Sequence, residues 1–415
     1  MGGETLPGFN FDIIMIPLQI IVFLYTIAYH LLSIPGFFPI KVHALAPEQH
    51  RFAVIIPAHN ESRVIAHLID SLKKQYYNSD LYQIFVIADN CTDNTADIAR
   101  ENGAIVYERH DLLHRSKGHA LRWFFELLWQ RPEKYDAVII FDADNLAHPK
   151  FLAHMNDHMA GGEKIIQGYI ESKNPEDSWV ASAFSLGFWV ANRLLQLSRY
   201  NWGVSTSLFG TGMCISCDII HEIGWSSTSL TEDLEFSMEA ILHGHKVTWA
   251  HEAVTFDERA TTLKACWNQQ LRWQQGRIEV MLKYMKPMFR GFLRGDADKL
   301  EALLNIFSPV FILFSGLLGF CGTLSSFIPT LNYTEVLPAE VFTIFFALQL
   351  VLPMIIILID RRPTRYLLLA PYYLIYMTFW VPVTIAAILS FRKRTWTHTS
   401  HKADIRIEDL ELKLK

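Results

Sequence analysis

Ala137-Val138-Ile139-Ile140-Phe141 runs without a break into Asp142-Ala143-Asp144. A short apolar run rich in β-branched residues, ending on two acids one residue apart, reads as a buried strand that delivers carboxylates at its carboxyl end. Upstream, Phe52-Ala53-Val54-Ile55-Ile56-Pro57 is a second such run, and Gln83 to Ala88 is a third. Between them Ser62 to Gln75 has helical spacing, as does Asn94 to Asn102. Strands alternating with helices of this length predict βαβ units, hence an α/β fold with a mostly parallel sheet. Open α/β sheets bind ligands beyond the carboxyl ends of their strands, so Asp142 and Asp144 fall where chemistry is expected.

This region is embedded in an apolar chain. Of 415 residues 51% are hydrophobic and only 19% charged, and the mean hydropathy is +0.16, which points to a membrane protein. The stretch from about Pro39 to Leu300 carries most of the charge and reads as a globular domain. A net charge of −5 supplies no overall positive field for nucleic acid, which is disfavoured as a partner. Five cysteines, odd in number, do not form a secreted disulfide framework, so the domain is expected in the cytosol.

Ile13 to Ile34 is long enough to cross a bilayer and reads as an uncleaved anchor, with Lys41 placing its far end in the cytosol. Leu303 to Ile328 and Val341 to Ile359 read as a hairpin whose loop lacks Lys and Arg, with Arg361, Arg362 and Arg365 on the cytosolic side. Tyr366 to Phe391 has basic flanks at both ends. Both flanks stay in the cytosol if that segment returns or lies at the interface, with a break expected near Pro382. Trp179 to Trp202 and Thr262 to Phe289 are aromatic and amphipathic, suited to the membrane interface or to the domain core.

Several clusters carry possible chemistry, each with a plainer reading beside it. Two carboxylates at a strand end can hold a hard cation that also binds phosphates, yet an Asp-x-Asp arises by chance about once in such a chain. Thr231-Glu232-Asp233 precedes a helical stretch and equally suits an N-cap with acids in the first turn. Gln269, Arg272 and Trp273 share one helical face, as they would on an interfacial helix with a snorkelling arginine. Cys214 and Cys217 have redox or zinc spacing without a second pair, and read as buried thiols. His154 and His158 lie one helical turn apart but lack a zinc-protease motif. Asn332-Tyr333-Thr334 fits a glycosylation sequon on the outer loop.

In this order, these residues resemble the membrane-embedded family 2 glycosyltransferases, the group of cellulose, hyaluronan and poly-N-acetylglucosamine synthases. Val54 to Glu61 is similar to that family's opening strand and turn, which implies donor-nucleotide roles for Pro57, Asn60 and Glu61. Ala88 to Asp93 resembles its Asp-Asp-Gly-Ser-Thr-Asp element, with Ala88 in place of the first Asp and Asp89 as the base or ribose contact. Lys117-Gly118-His119-Ala120-Leu121 resembles Lys-Gly-x-Ala-Leu. Asp142 and Asp144 match the diphosphate motif, with Asp144 implied as the metal ligand. Gly210, Thr211 and Gly212 match the acceptor-side turn, and Thr231-Glu232-Asp233 matches Thr-Glu-Asp, whose Asp is the general base. Gln269, Arg272 and Trp273 match Gln-x-x-Arg-Trp, implying acceptor contacts for Gln269 and Trp273 and a diphosphate contact for Arg272. Trp396, Thr399 and His401 resemble the element that closes over the donor.

The resemblance implies a GT-A-type cytosolic domain (39–300) between an anchor (1–38) and a membrane region (301–391), with a cytosolic tail (392–415). It also implies a multi-pass plasma-membrane enzyme that uses Mg²⁺ or Mn²⁺ and a UDP-sugar donor. Such an enzyme inverts the sugar linkage, extends a β-linked polysaccharide, passes it through its helices and works beside export partner proteins. Two rivals stand next to this reading: a transferase that adds one sugar to a membrane lipid, and an idle scaffold that kept the fold. The last is opposed by the presence of Asp144, Asp233 and Arg272 together.

Overall fold

The computed structural model describes residues 11–328, 333–391 and 405–414. Its centre is an eight-stranded sheet: β1 Phe52–Ala58, β2 Tyr82–Asp89, β3 Ile105–Arg109, β4 Ala137–Ile140, β5 Leu146–Ala147, β6 Ile165–Ser172, β7 Met213–Ser216 and β8 Thr248–Asp257. The spatial order is β3-β2-β1-β4-β7-β6-β8-β5. β3, β2, β1 and β4 run parallel, as the alternating strand and helix pattern requires. β7 runs antiparallel to both β4 and β6, and β5 runs antiparallel to β8. The result is the mostly parallel α/β sheet expected from the sequence.

Alternation along the parallel strands explains why both faces are covered. Phe52, Val54 and Ile56 point to one side, against Ile65, Leu68 and Leu72 of α2 (Ile65–Lys73). Ala53 and Ile55 point to the other, where Leu121, Phe124 and Leu128 of α4 (Lys117–Leu128) pack; α3, Thr95–Glu101, lies between the two in sequence. Each fully buried aliphatic side chain contributes about 1.5–3 kcal/mol, so the continuous apolar runs that lack a polar face are what a doubly covered sheet needs. The shared register of β1, β2 and β4 brings Pro57, Asp89 and Asp142 out at one edge.

Further helices are α5 Phe151–Ala160, α6 Trp179–Ala191, α7 Ser198–Trp202, α8 Cys217–Ile223, α9 Glu232–Leu242 and α10 Leu263–Phe292, with a π-helical stretch, Asn192–Leu197, joining α6 to α7. Four segments are long and apolar enough to cross a membrane: Asp12–Phe37, Ala297–Ser325, Glu340–Ile359 and Thr364–Ser390. They contain α1 (Asp12–Ser33), α11 (Ala297–Ser325), α12 (Ala339–Ile359) and α13 (Ala370–Ser390). Stretch Trp179 to Trp202 is largely buried between the α/β body and these helices, with Phe184, Trp189 and Leu194 packed against Ile356, Tyr366 and Tyr376.

The break expected near Pro382 is not there. α13 is one helix through Pro382, and Thr384 Oγ1 donates to the Trp380 carbonyl beside the ring. Packing against α6, α10 and α11 holds the helix together where a proline alone would favour a kink. Both ends of the segment nevertheless meet the α/β body. Arg362 pairs with Glu171 at the end of β6 at 2.7 Å, and at the other end Gln275 of α10 donates to Ser390 Oγ at 2.9 Å. α14 (Ile407–Leu414) then sits on the body, with Ile407 and Leu410 buried against Leu146 and Phe256. Trp396, Thr399 and His401 lie outside the described residues, as do Arg392 to Arg394 and Asn332.

Candidate active site

A cavity of about 500 Å³ opens over the carboxyl ends of β1, β2 and β4. Pro57, Glu61, Asp89, Lys117, Asp142, Asp144, Gly210, Thr211, Glu232, Asp233, Gln269, Arg272 and Trp273 all line it. The structure thus brings together the described residues singled out above, except Asn60 and Gly212, which stand just behind the wall. Asn60 takes a left-handed φ of 57° and accepts from the Thr92 amide at 2.7 Å, fixing the turn after β1 against the turn after β2. Gly212 supports from below: at its φ of 59° a Cβ would come within 2.7 Å of Thr255.

On the β2 side, Asp89 Oδ1 accepts from Arg109 Nη1 at 2.7 Å and from Asn90 Nδ2 at 2.9 Å. Burial nonetheless outweighs the guanidinium and keeps the Asp89 carboxyl above its ordinary range. At the centre lies Lys117, the first residue of α4, whose start is capped by Ser116 accepting from the His119 amide. Its ammonium bonds Asp142 Oδ1 and the Gly210 carbonyl, and lies 3.7 Å from Glu232. Burial works against that charge, but Asp142 and Glu232 outweigh it and hold the proton more tightly than in water.

Glu232 and Asp233 form the first turn of α9, where the helix dipole favours negative charge. The plain capping reading of Thr231 fails. Its side chain makes no cap bond, and its buried Oγ1 has no hydrogen-bond partner among the described residues. Thr231 packs instead on Gly276 of α10, where a Cβ would come within 2.6 Å of it. Glu235, one turn on, orients the helix by accepting from the Thr228 and Ser229 amides at 3.0 and 2.9 Å. Burial pushes the Glu232 carboxyl up to about 7, with Lys117 opposing the rise and Asp233 adding to it. Burial raises Asp233 as well. Asp233 Oδ2 faces Gly210, where an added Cβ would stand 3.3 Å away.

Three residues that no motif marked complete the carboxylate edge. Asn145 Nδ2 lies 3.3 Å from Asp144 Oδ1 and donates to Asp257 Oδ1 at 3.0 Å, so Asp257, the last residue of β8, stands beside the Asp-x-Asp pair. Arg259 pairs with Asp257 at 2.7 Å, and its guanidinium lies 3.6 Å from the centre of the Phe188 ring. A strand ending on an acid, Thr255-Phe256-Asp257, repeats the signal that marked Asp142 and could have flagged Asp257. Oxygen donors from Asp144 and Asp257, with Asp142 nearby, suit a hard cation such as Mg²⁺ or Mn²⁺. On the α10 wall of the cavity Trp273 meets Phe184 and Phe188 with ring centres 5.8 and 6.3 Å apart, and Gln269 Oε1 is buried without a partner among the described residues.

Residues 49–276 match the family described as glycosyltransferase-like family 2, which covers more than half of the chain. The chain belongs to this family. Among curated relatives it is 26% identical over 295 residues to the probable glycosyltransferase YdaM of Bacillus subtilis, covering 67% of this chain and 65% of that one. It is 25% identical over 271 residues to the beta-monoglucosyldiacylglycerol synthase of a Nostoc species, covering 61% and 55%. It is 23% identical over 236 residues to the poly-beta-1,6-N-acetyl-D-glucosamine synthase of Staphylococcus aureus, covering 55% of each. The match spans less than two thirds of each relative's length. In overall fold the chain is similar to the mannosyltransferase PcManGT of Pyrobaculum calidifontis, solved with GDP-mannose and Mn²⁺, at a TM-score of 0.62 and 17% identity, covering 93% of this chain and all of that one. This is therefore a family 2 glycosyltransferase with a GT-A-like body.

Proposed function

We propose that this glycosyltransferase extends a β-linked polysaccharide from a UDP-sugar and leads the product out between its membrane helices. The observation that carries the reading is a second cavity, of about 940 Å³, on the far side of Asp233. Tyr29, Leu195, Phe209, Arg277, Met377 and Trp380 line both cavities, so the two meet at this ring. Along α11 the second cavity is lined from Leu304 to Ser325, about 30 Å at the helical rise and close to the thickness of a bilayer core. Its far end reaches Tyr333 and Glu335 in the loop before α12.

The lining suits a sugar chain. α11 offers Asn305, Ser308, Ser315, Ser325 and two glycines, α1 offers Gln19, Tyr25, Thr26 and Tyr29, and α12 offers Gln349 with three phenylalanines. Hydroxyls and amides satisfy sugar hydroxyls while rings pack on sugar faces. At the entry, Arg277 donates to Asn305 Oδ1 at 3.1 Å, and the buried Arg199–Glu301 pair, at 3.2 Å, stiffens the wall.

In the reaction Asp233 takes the proton of the acceptor hydroxyl as that oxygen bonds the anomeric carbon and the bond to UDP breaks. One base and no enzymic nucleophile give a single displacement with inversion. Lys117 and Arg272 receive the negative charge of the departing diphosphate, and Trp273 supports the acceptor sugar. Asp144, with Asp257 beside it, would hold the divalent cation, which neutralises the diphosphate.

Purified enzyme incubated with labelled UDP-sugars and Mg²⁺ or Mn²⁺ should yield long product. A single labelled sugar on lipid would favour the second reading, which rests on the likeness to the glucosyldiacylglycerol synthase, and no product with any UDP-sugar would overturn both.

Since Asp233 must be ionised to act, and it shares its burial with a Glu232 carboxyl held up to about 7, kcat/KM is expected to fall as pH drops through that region. Glu232→Gln removes the neighbouring carboxyl and should move the acid limb to lower pH. A limb that stays in place would show that the two acids do not titrate together.

The topology proposed here is supported by which helix ends meet the body. α1, α11 and α12 cross the plasma membrane, α13 lies along its cytosolic face, and α14 returns to the catalytic domain. A cysteine at the exposed Asp409, in a cysteine-free background, should react with an impermeant thiol reagent only after intact cells are permeabilised. Labelling from outside would mean that α13 crosses.

A further inference from the structure

Away from the sugar site, four chain segments converge on one carboxylate. His43 comes from the stretch after α1, His158 from the last turn of α5, Glu163 from the turn into β6, and Tyr200 from α7. Glu163 Oε1 lies 3.2 Å from His43 Nε2 and 2.7 Å from Tyr200 Oη, and those two atoms lie 2.9 Å from each other. The other oxygen, Oε2, lies 2.8 Å from His158 Nδ1. Ligating atoms of His43, His158 and Glu163 all fall within 4.8 Å of one another.

One edge of this cluster has no hydrogen of its own. His43 Nε2, Tyr200 Oη and Glu163 Oε1 form a closed triangle, but the phenol and the imidazole edge carry at most two hydrogens for its three sides. The His43 Nε2–Glu163 Oε1 separation of 3.2 Å matches the edge of a small cation's ligand shell, since four ligands at about 2.0–2.1 Å in a tetrahedron stand roughly 3.3 Å apart. The surroundings are those of a metal carboxylate. Thr248 Oγ1 donates to Glu163 Oε2 at 2.7 Å, and Glu252 Oε2 lies 3.8 Å from His158 Nε2, on the side where a ligating imidazole directs its remaining N–H. Gly161 gives the His43 ring room, since a Cβ there would come within 2.5 Å of Nδ1.

We propose that His43, His158 and Glu163 form a structural transition-metal site, with Zn²⁺ the ion it takes, that clips the segment after the membrane anchor to the catalytic body. Two imidazoles and a carboxylate select zinc over the hard Mg²⁺ that suits the all-oxygen edge at Asp144, so the two sites take different ions. The sequence conceals the site because His158 pairs with His43, far upstream, and not with His154 one turn away.

The test uses full-length enzyme purified without a polyhistidine tag. About one zinc per chain should survive dialysis by elemental analysis, and Co²⁺ added to stripped enzyme should give the visible absorption of a four-coordinate site that Zn²⁺ displaces. His43→Ala, in a half-exposed linker position, should lower Zn²⁺ affinity by about 100-fold while UDP binding reports that the fold is kept. Asp144→Ala should retain the zinc. Wild-type enzyme that holds no zinc and gives no such Co²⁺ absorption would overturn the proposal whatever the variants do, as would undiminished zinc in His43→Ala.

Discussion

Asp233→Asn is expected to lower turnover by roughly 10³-fold while leaving UDP affinity within about twofold of wild type. The amide keeps the size and the polar contacts of the carboxyl at the start of α9, so the loop from Thr228 to Thr231 and the packing of Thr231 on Gly276 should survive. What it loses is the capacity to accept a proton. The residues proposed to face the diphosphate, Lys117, Asp142 and Arg272, are untouched by the change. Turnover and UDP binding should be measured on one preparation, since the split between them is the diagnostic. Near-normal turnover would remove Asp233 from its role and turn attention to Glu232, whose carboxyl is already engaged by Lys117 at 3.7 Å. Loss of both readouts would mean that Asp233 supports the fold of the site and not the proton transfer.

The part of this site that could be read in the sequence is the part built on β1, β2 and β4. Those strands are buried on both faces, so they appear as uninterrupted apolar runs, and at or just past the carboxyl end of each stands a residue of the cavity: Pro57, Asp89 and Asp142. The second half of the sheet does not announce itself in this way. β6 is buried throughout yet contains Gln167, Glu171 and Ser172, because the Gln167 amide bonds the Thr211 carbonyl and Glu171 accepts from Trp189. A strand whose polar side chains are satisfied internally has neither an apolar run nor an alternating pattern. β7 offers only Met213 to Ile215 before Ser216, too short an apolar run to stand out. In helix α13 Pro382 reads as a break, but its neighbours on α10 and α11 keep the helix continuous through the proline. The ring of Arg277 and Trp380 between the two cavities is set by helix packing, which leaves no local pattern.

Asp144→Ala should separate metal-dependent donor binding from everything else the domain does. In wild type, UDP is expected to bind tightly only with Mg²⁺ or Mn²⁺, because a negative diphosphate brought up to Asp142, Asp144 and Asp257 would otherwise meet like charge. Removing the Asp144 carboxylate, which is 6% exposed at the floor of the cavity, takes away an oxygen donor that neighbouring acids cannot replace without moving. Asp142 is held by Lys117, and Asp257 by Arg259 and Asn145. UDP affinity measured with metal should therefore fall by at least about 100-fold, and the residual affinity should be the same with and without the cation. A variant that still binds UDP more tightly when Mg²⁺ or Mn²⁺ is added would place the cation elsewhere, with Asp257 and Asp142 as the remaining oxygen donors at that edge. Thermal unfolding of the variant without ligand should stay close to wild type, since losing one of the three carboxylates at this edge of the cavity also relieves like-charge repulsion. A large fall in unfolding temperature would instead mean that Asp144 secures the turn after β4, and the loss of UDP binding would then follow from a disordered edge and not from a missing ligand.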